Sequence, residues 1–153
     1  MSQHDLDYFR SSFHSSQTED ALDIIIKTSP EEDDELKLAT IMAYKAVSET
    51  KKADHKLFPL SKLQHFNAGK DKLEAVIARY PTAEIRYLRL LVQLTVPGIV
   101  NYSDNILEDL THLSMALKSE NFPQQDKLLF IETLTSMLDD QEYLGMIEKI
   151  ELN

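Results

Sequence analysis

Apolar residues recur along this chain at spacings of three and four, the repeat that gathers them on one face of an α-helix. Leu6, Phe9 and Phe13 predict a short first helix over 5–14, broken by the polar segment 15–18. Thr18 is placed to cap a second helix, with Glu19 and Asp20 at its positive end and Ala21, Leu22, Ile25 and Ile26 as its buried stripe. The run Ile24-Ile25-Ile26 also fits a strand, but the chain offers it no convincing partner. Ser29, Pro30 and Glu32 read as N-cap, first helical residue and the far half of a capping box, which starts a third helix at Pro30. Glu31, Asp33, Asp34 and Glu35 then complement the dipole of its first turns. Their spacing and the missing glycine do not fit a calcium loop.

From Leu36 to about Thr50 the chain is apolar or small nearly all round, through Leu36, Leu38, Ala39, Ile41, Met42, Ala43, Ala46 and Val47. So wide a stripe predicts a central helix with neighbours on more than one side. After a polar connection over 51–58, Pro59 opens a long helix to about Tyr80 with core positions Leu63, Phe66, Leu73, Val76, Ile77 and Tyr80. Gly69, in its middle, costs about 1 kcal/mol relative to alanine and therefore predicts a close helix crossing. Pro81 stops this helix, and Thr82 caps the next, 83–96, which ends before Pro97-Gly98.

Ser103 or Asp104 is expected to cap a helix bearing Ile106, Leu107, Leu110, Leu113 and Leu117. Asn121 and Pro123 start another with Leu128, Ile131, Leu134, Met137 and Leu138. A terminal helix carries Tyr143, Leu144, Ile147 and Ile150. The whole pattern predicts an all-α fold, an antiparallel array of about seven to eight helices. It is expected to form one domain over 1–153, with N-terminal helices in 1–28, a repeat-like core in 29–120 and capping helices in 121–153.

Composition agrees. Three glycines in 153 residues are far below the usual share of roughly 7%, too few for the tight turns of a β-rich fold. Cysteine is absent, which excludes a disulfide framework, a thiol nucleophile and cysteine-ligated metals. No apolar run approaches the ~20 residues of a membrane span. Met1 to Arg10 carries neither a basic nor an apolar leader region, so the chain reads as cytoplasmic, or as extracytoplasmic if a leader has been removed.

The net charge of −10 conceals a division. Residues 1–35 hold ten acids against Arg10 and Lys27; residues 36–100 hold eleven bases against five acids; residues 101–153 hold eleven acids against three bases. A basic middle between acidic ends has two readings: a patch for an anionic partner, or self-complementary elements that screen one another.

The boundary around Pro81 resembles a tetratricopeptide repeat. Gly69, Leu73, Val76 and Pro81 match the small, apolar, small and proline spacing of that repeat's second helix, and Tyr87 and Leu90 fall where the next first helix has its aromatic and leucine. A longer set resembles an uncharacterised Bacteroidetes family of small helical proteins. It comprises Ala43-Tyr44-Lys45-Ala46, Phe66-x2-Gly69-x3-Leu73-Glu74, the run Glu84 to Leu90 with Val92-Gln93, Pro97, and Tyr102-x2-Asn105-Ile106-x-Glu108-Asp109. That resemblance covers roughly 36–110 and implies a helical fold and, commonly, export; it implies no activity.

Candidate chemistry is sparse. Arg86, Arg89 and Gln93 share one face of helix 83–96, and guanidinium forks suit carboxylates or phosphates of a partner. The same forks suit Glu74, Glu108 or Asp109 on neighbouring helices. Tyr102 and Asn105 line the same groove or serve as turn residues. Lys51, Lys52, Lys56 and Lys62, with His55, His65, Phe58 and Phe66, combine charge and aromatics as single-strand nucleic-acid binders do, but no arginine stripe accompanies them and a solvated surface is the simpler reading. The histidines His4, His14, His55, His65 and His112 lack ligand spacing, so no metal or cofactor is expected. Adjacent acids such as Glu108-Asp109 and Asp139-Asp140 point about 100° apart on a helix and make no acid/base pair alone. The expectation is a non-enzymatic module that holds a protein or peptide partner in a groove between helices. An anionic-ligand domain centred on the basic middle and a self-assembling structural subunit are the alternatives.

Overall fold

Local capping decides where the first helices begin. Asp5 accepts the Tyr8 amide at 3.1 Å and starts α1 (Leu6–Ser15); Thr18 accepts the Ala21 amide at 3.2 Å and starts α2 (Glu19–Lys27). Ile24, Ile25 and Ile26 are helical within α2, with Ile25 buried and Ile24 exposed. The computed structural model describes residues 4–96, 101–138 and 141–151, and among them the chain forms eight α-helices and no strand. Pro97, Gly98, Asp139, Asp140 and the Ile150 side chain lie outside the described residues. Two units are compact in themselves, Met1–Ile85 and Arg86–Asn153, and the division falls within one helix, α5 (Ala83–Thr95).

In the first unit, α3 (Glu35–Lys52) begins at Glu35 and not at Pro30. Asp34 is its cap, accepting the Lys37 amide at 2.9 Å. The expected Ser29–Glu32 capping box does not form. Instead the Glu31 amide donates to the His4 carbonyl at 2.8 Å and its carboxylate meets His4 Nδ1 at 3.1 Å, which holds this stretch beside the N-terminus and outside the helix. Ala39, Ile41, Ala43, Tyr44, Ala46 and Val47 are buried, as a central helix requires, whereas Leu36 and Met42 of the predicted stripe are exposed. Lys45, also on α3, donates from Nζ to the carbonyls of Ile25, Ile26 and Thr28 at 3.2, 2.6 and 2.6 Å. It thereby satisfies the acceptors that the end of α2 leaves open.

A short 3-10 turn, Ala53–His55, leads to α4 (Pro59–Arg79), with the proline in its first turn. α3 and α4 run antiparallel: Glu35 meets Arg79 and Tyr80 at one end, and Glu49 meets His65 at 2.9 Å towards the other. Gly69 is a point of close backbone approach between them. A Cβ there would lie 2.5 Å from the Ala46 carbonyl oxygen and 2.6 Å from the Thr50 nitrogen, so the predicted close crossing is present and only glycine fits it. Phe66, Leu73 and Ile77 bury against this contact, but Leu63, predicted as core, is exposed.

Thr82 accepts the Ile85 amide at 3.3 Å at the start of α5. In the second unit, α6 (Ile106–Leu117) starts without the predicted Ser103 or Asp104 cap. Its first residues are fixed from α5 instead, since the Asn105 amide donates to Gln93 Oε1 at 2.8 Å. α7 (Gln124–Met137) follows Pro123, and α8 (Gln141–Glu151) ends the described chain. Leu110, Leu113, Leu117, Ile131, Leu134 and Ile147 are buried as the periodicity implied. Leu107 and Leu128 are exposed; Phe130, stacked on Tyr87 with ring centroids 4.0 Å apart, fills the core position on α7 instead.

Candidate functional site

The row on α5 meets one acid, Asp109 of α6, whose side chain is fully enclosed. Arg89 holds it as a fork, Nε to Oδ2 and Nη2 to Oδ1, both at 2.7 Å. Arg86 Nη1 donates to Oδ1 at 3.0 Å and Gln93 Nε2 to Oδ2 at 2.9 Å. Two oxygens that each receive two donors have their lone-pair sites filled. Asp109 is therefore built to neutralise the arginines and has no acceptor to spare. Glu108, next in sequence but outside on the helix, accepts from Asn105 Nδ2 at 2.8 Å and from Arg86 at 3.3 Å. Those two donors, Asn105 first, hold its carboxyl below the usual glutamate range. Arg86, Arg89, Gln93 and Asn105 are thus gathered around one buried charge, and Tyr102 lies half-buried in the segment before α6.

The first unit contains a second carboxylate of this kind, which periodicity did not reveal. Glu84 takes a fork from Arg10, Nε to Oε2 and Nη2 to Oε1 at 2.7 Å each, and the buried Tyr44 hydroxyl at 2.5 Å. Nothing in the spacing of residues 10, 44 and 84 announces the contact, because it joins positions far apart in the chain.

Most other bases of the middle segment meet groups of their own unit. Lys52 lies 2.6 Å from Asp23, and each holds the other charged: the aspartate below and the lysine above its ordinary range. Lys56 lies 3.8 Å from Glu19 and Arg79 3.5 Å from Glu35. Burial pushes Lys51 below the ordinary lysine range. Among the histidines, His14 bonds to the Arg10 carbonyl, His55 to the Gln17 carbonyl and His65 to Glu49.

An open apolar groove lies between α3 and α4, with a volume of about 310 Å³. Leu38, Ala39 and Met42 of α3 face Ala75 and Val76 of α4 across it. Glu35, Arg79 and Tyr80 form one rim, and the Tyr80 hydroxyl donates to Glu35, which raises the phenol above its usual range. Met42 is exposed on this opening, away from the close contact at Gly69. The sequence contained the small residues Ala39 and Ala75 but no signal that their neighbours would remain uncovered. No protein-family model, curated protein or solved structure matches this chain.

Proposed function

We propose that this protein is a non-enzymatic interaction module whose α3–α4 groove receives an apolar side chain of a basic peptide segment. The carrying observation is the groove itself, apolar along its floor and about the volume of a small ligand site. Its occupant follows from charge. The acids Glu31, Glu32, Asp33 and Asp34 run up to Glu35, the first residue of α3, and Glu35 stands on the rim. A partner with lysine or arginine beside the inserted side chain finds counter-charge there. A tetratricopeptide-like pairing is part of the same reading, supported by Gly69 at the helix contact, Pro81 after α4 and buried Tyr87 and Leu90 on α5.

The arginine row enters this reading as scaffold. Arg89 and Gln93 are buried and donate to Asp109, so this reading places partner contact on the groove residues. The test is fluorescence anisotropy with a labelled peptide of leucines separated by lysines, beside the same peptide with glutamates. Saturable binding of the lysine peptide is expected. The Ala75→Phe variant, which fills the groove from an exposed position, should weaken it at least about tenfold, the equivalent of one lost apolar anchor, and melt as wild type does. Equal binding by Ala75→Phe, or none by wild type, rejects the groove as the site.

A further inference from the structure

Leu57, Phe58, Leu60 and Leu63 are 89, 73, 67 and 47% exposed, the densest run of uncovered large apolar side chains on the described chain. They occupy the link from the 3-10 turn and the first two turns of α4, where Pro59 fixes the entry. Leu60 and Leu63, three apart, share a helix face. Exposed apolar residues scattered singly need no explanation, but four within seven positions do. Lys62 is exposed among them, and His55 and the partly exposed Lys56 lie just before them. Residues 51–65 hold four lysines against one acid, Asp54, in a chain that is otherwise acidic.

We propose that this knuckle docks on an anionic membrane surface, with Leu57, Phe58 and Leu60 entering the headgroup boundary and Lys62 and Lys56 meeting lipid phosphates and carboxylates. Protruding apolar side chains edged by lysines are what interfacial binding requires, since buried apolar area and attraction to anionic lipid add. Lysine stems lie along the apolar boundary while their ammonium groups reach the headgroups. Charge chooses between this occupant and a second copy of the chain. A two-fold contact through the knuckle pairs the patch with itself and brings lysine towards lysine. Screening confines electrostatics to about 8 Å at physiological salt; Asp23 and Glu19 lie within that range of Lys52 and Lys56, so the exposed Lys62 supplies most of the attraction to anionic lipid. The apolar share dominates, because Lys52 is held by Asp23 and Lys56 is partly engaged by Glu19.

The experiment is co-sedimentation of the full chain with phosphatidylcholine vesicles, with and without phosphatidylserine, beside light scattering of the protein alone. Wild type should sediment with the phosphatidylserine vesicles and remain monomeric. Phe58→Ser/Leu60→Ser should lose at least about tenfold in partitioning. Lys62→Glu should lose about fivefold on phosphatidylserine vesicles and little on phosphatidylcholine alone. Both variants should melt with wild type, because the replaced side chains make no core. Wild type that ignores both vesicles, or a double variant that sediments equally well, overturns the proposal. A doubled mass that Phe58→Ser/Leu60→Ser abolishes overturns it too, in favour of a second copy. The groove reading is untouched by either result, since Ala75 and Val76 lie two helical turns and more from the knuckle along α4.

Discussion

The α3–α4 contact of the first unit and the α5–α6 contact of the second are closed by opposite means. In the first, Gly69 removes the side chain and lets backbone approach backbone, so the pair is held by many small apolar contacts. In the second, Arg86, Arg89 and Gln93 fill the space and converge on one buried carboxylate. An apolar contact is divisible: it can part at one end into a groove while the rest stays closed. A buried ionic contact is not divisible, because each donor removed leaves a charge or dipole without its partner in a medium that solvates it poorly. The first kind of contact leaves an open groove. The second fixes register.

That contrast is open to attack from both sides. The largest effect belongs to Asp109→Ala, which removes the buried acid on which Arg86, Arg89 and Gln93 converge and should cost about 3–5 kcal/mol in a denaturant titration. Arg89→Met/Asp109→Leu should recover part of that loss, since it removes the buried acid together with its forked arginine and leaves only the more outlying Arg86; a double variant no better than Asp109→Ala means the node does more than neutralise itself. Next comes Gly69→Val. Its added carbons meet the Ala46 carbonyl and the Thr50 nitrogen, both backbone, and overpacking of that kind costs about 1–3 kcal/mol. A valine variant as stable as wild type would show that the crossing has slack and that the glycine is not what closes it.

The smallest effect is the pH response of the node's outer member. The Glu108 carboxyl is held below its usual range by Asn105 and Arg86, so its contribution is full above the ordinary glutamate range and is lost as pH falls through the lowered value. Glu108→Gln should therefore be slightly less stable than wild type at neutral pH and equal to it in acid. A difference that persists in acid would assign the loss to packing and not to charge.

The eight helices of the described residues and most of their ends were legible because caps, prolines and the three-to-four repeat act within a few residues. Thr18, Pro59, Gly69 and Pro81 each did what their local chemistry required. The third helix start was misread for an instructive reason. Ser29, Pro30 and Glu32 make a sound local signal, and it lost to the contacts of Glu31 with His4, a residue from the far side of two helices. The arginine row was legible as a row, and Glu108 and Asp109 were among its candidate partners. Which acid would be enclosed depended on the rotation of α6.

The sequence by itself determined the helices, the absence of cysteine chemistry, and a charge pattern in which bases and acids alternate by segment. Tertiary structure alone decided which exposed and which buried positions that pattern would produce. Periodicity marks one face of a helix as apolar, but it cannot say how far a neighbour covers that face. Met42 opens on a groove, Leu63 on solvent and Leu128 gives its place to Phe130. Pairings such as Arg10 with Glu84 join residues that only packing brings together, since the energy that selects them lies in desolvation and geometry and not in spacing.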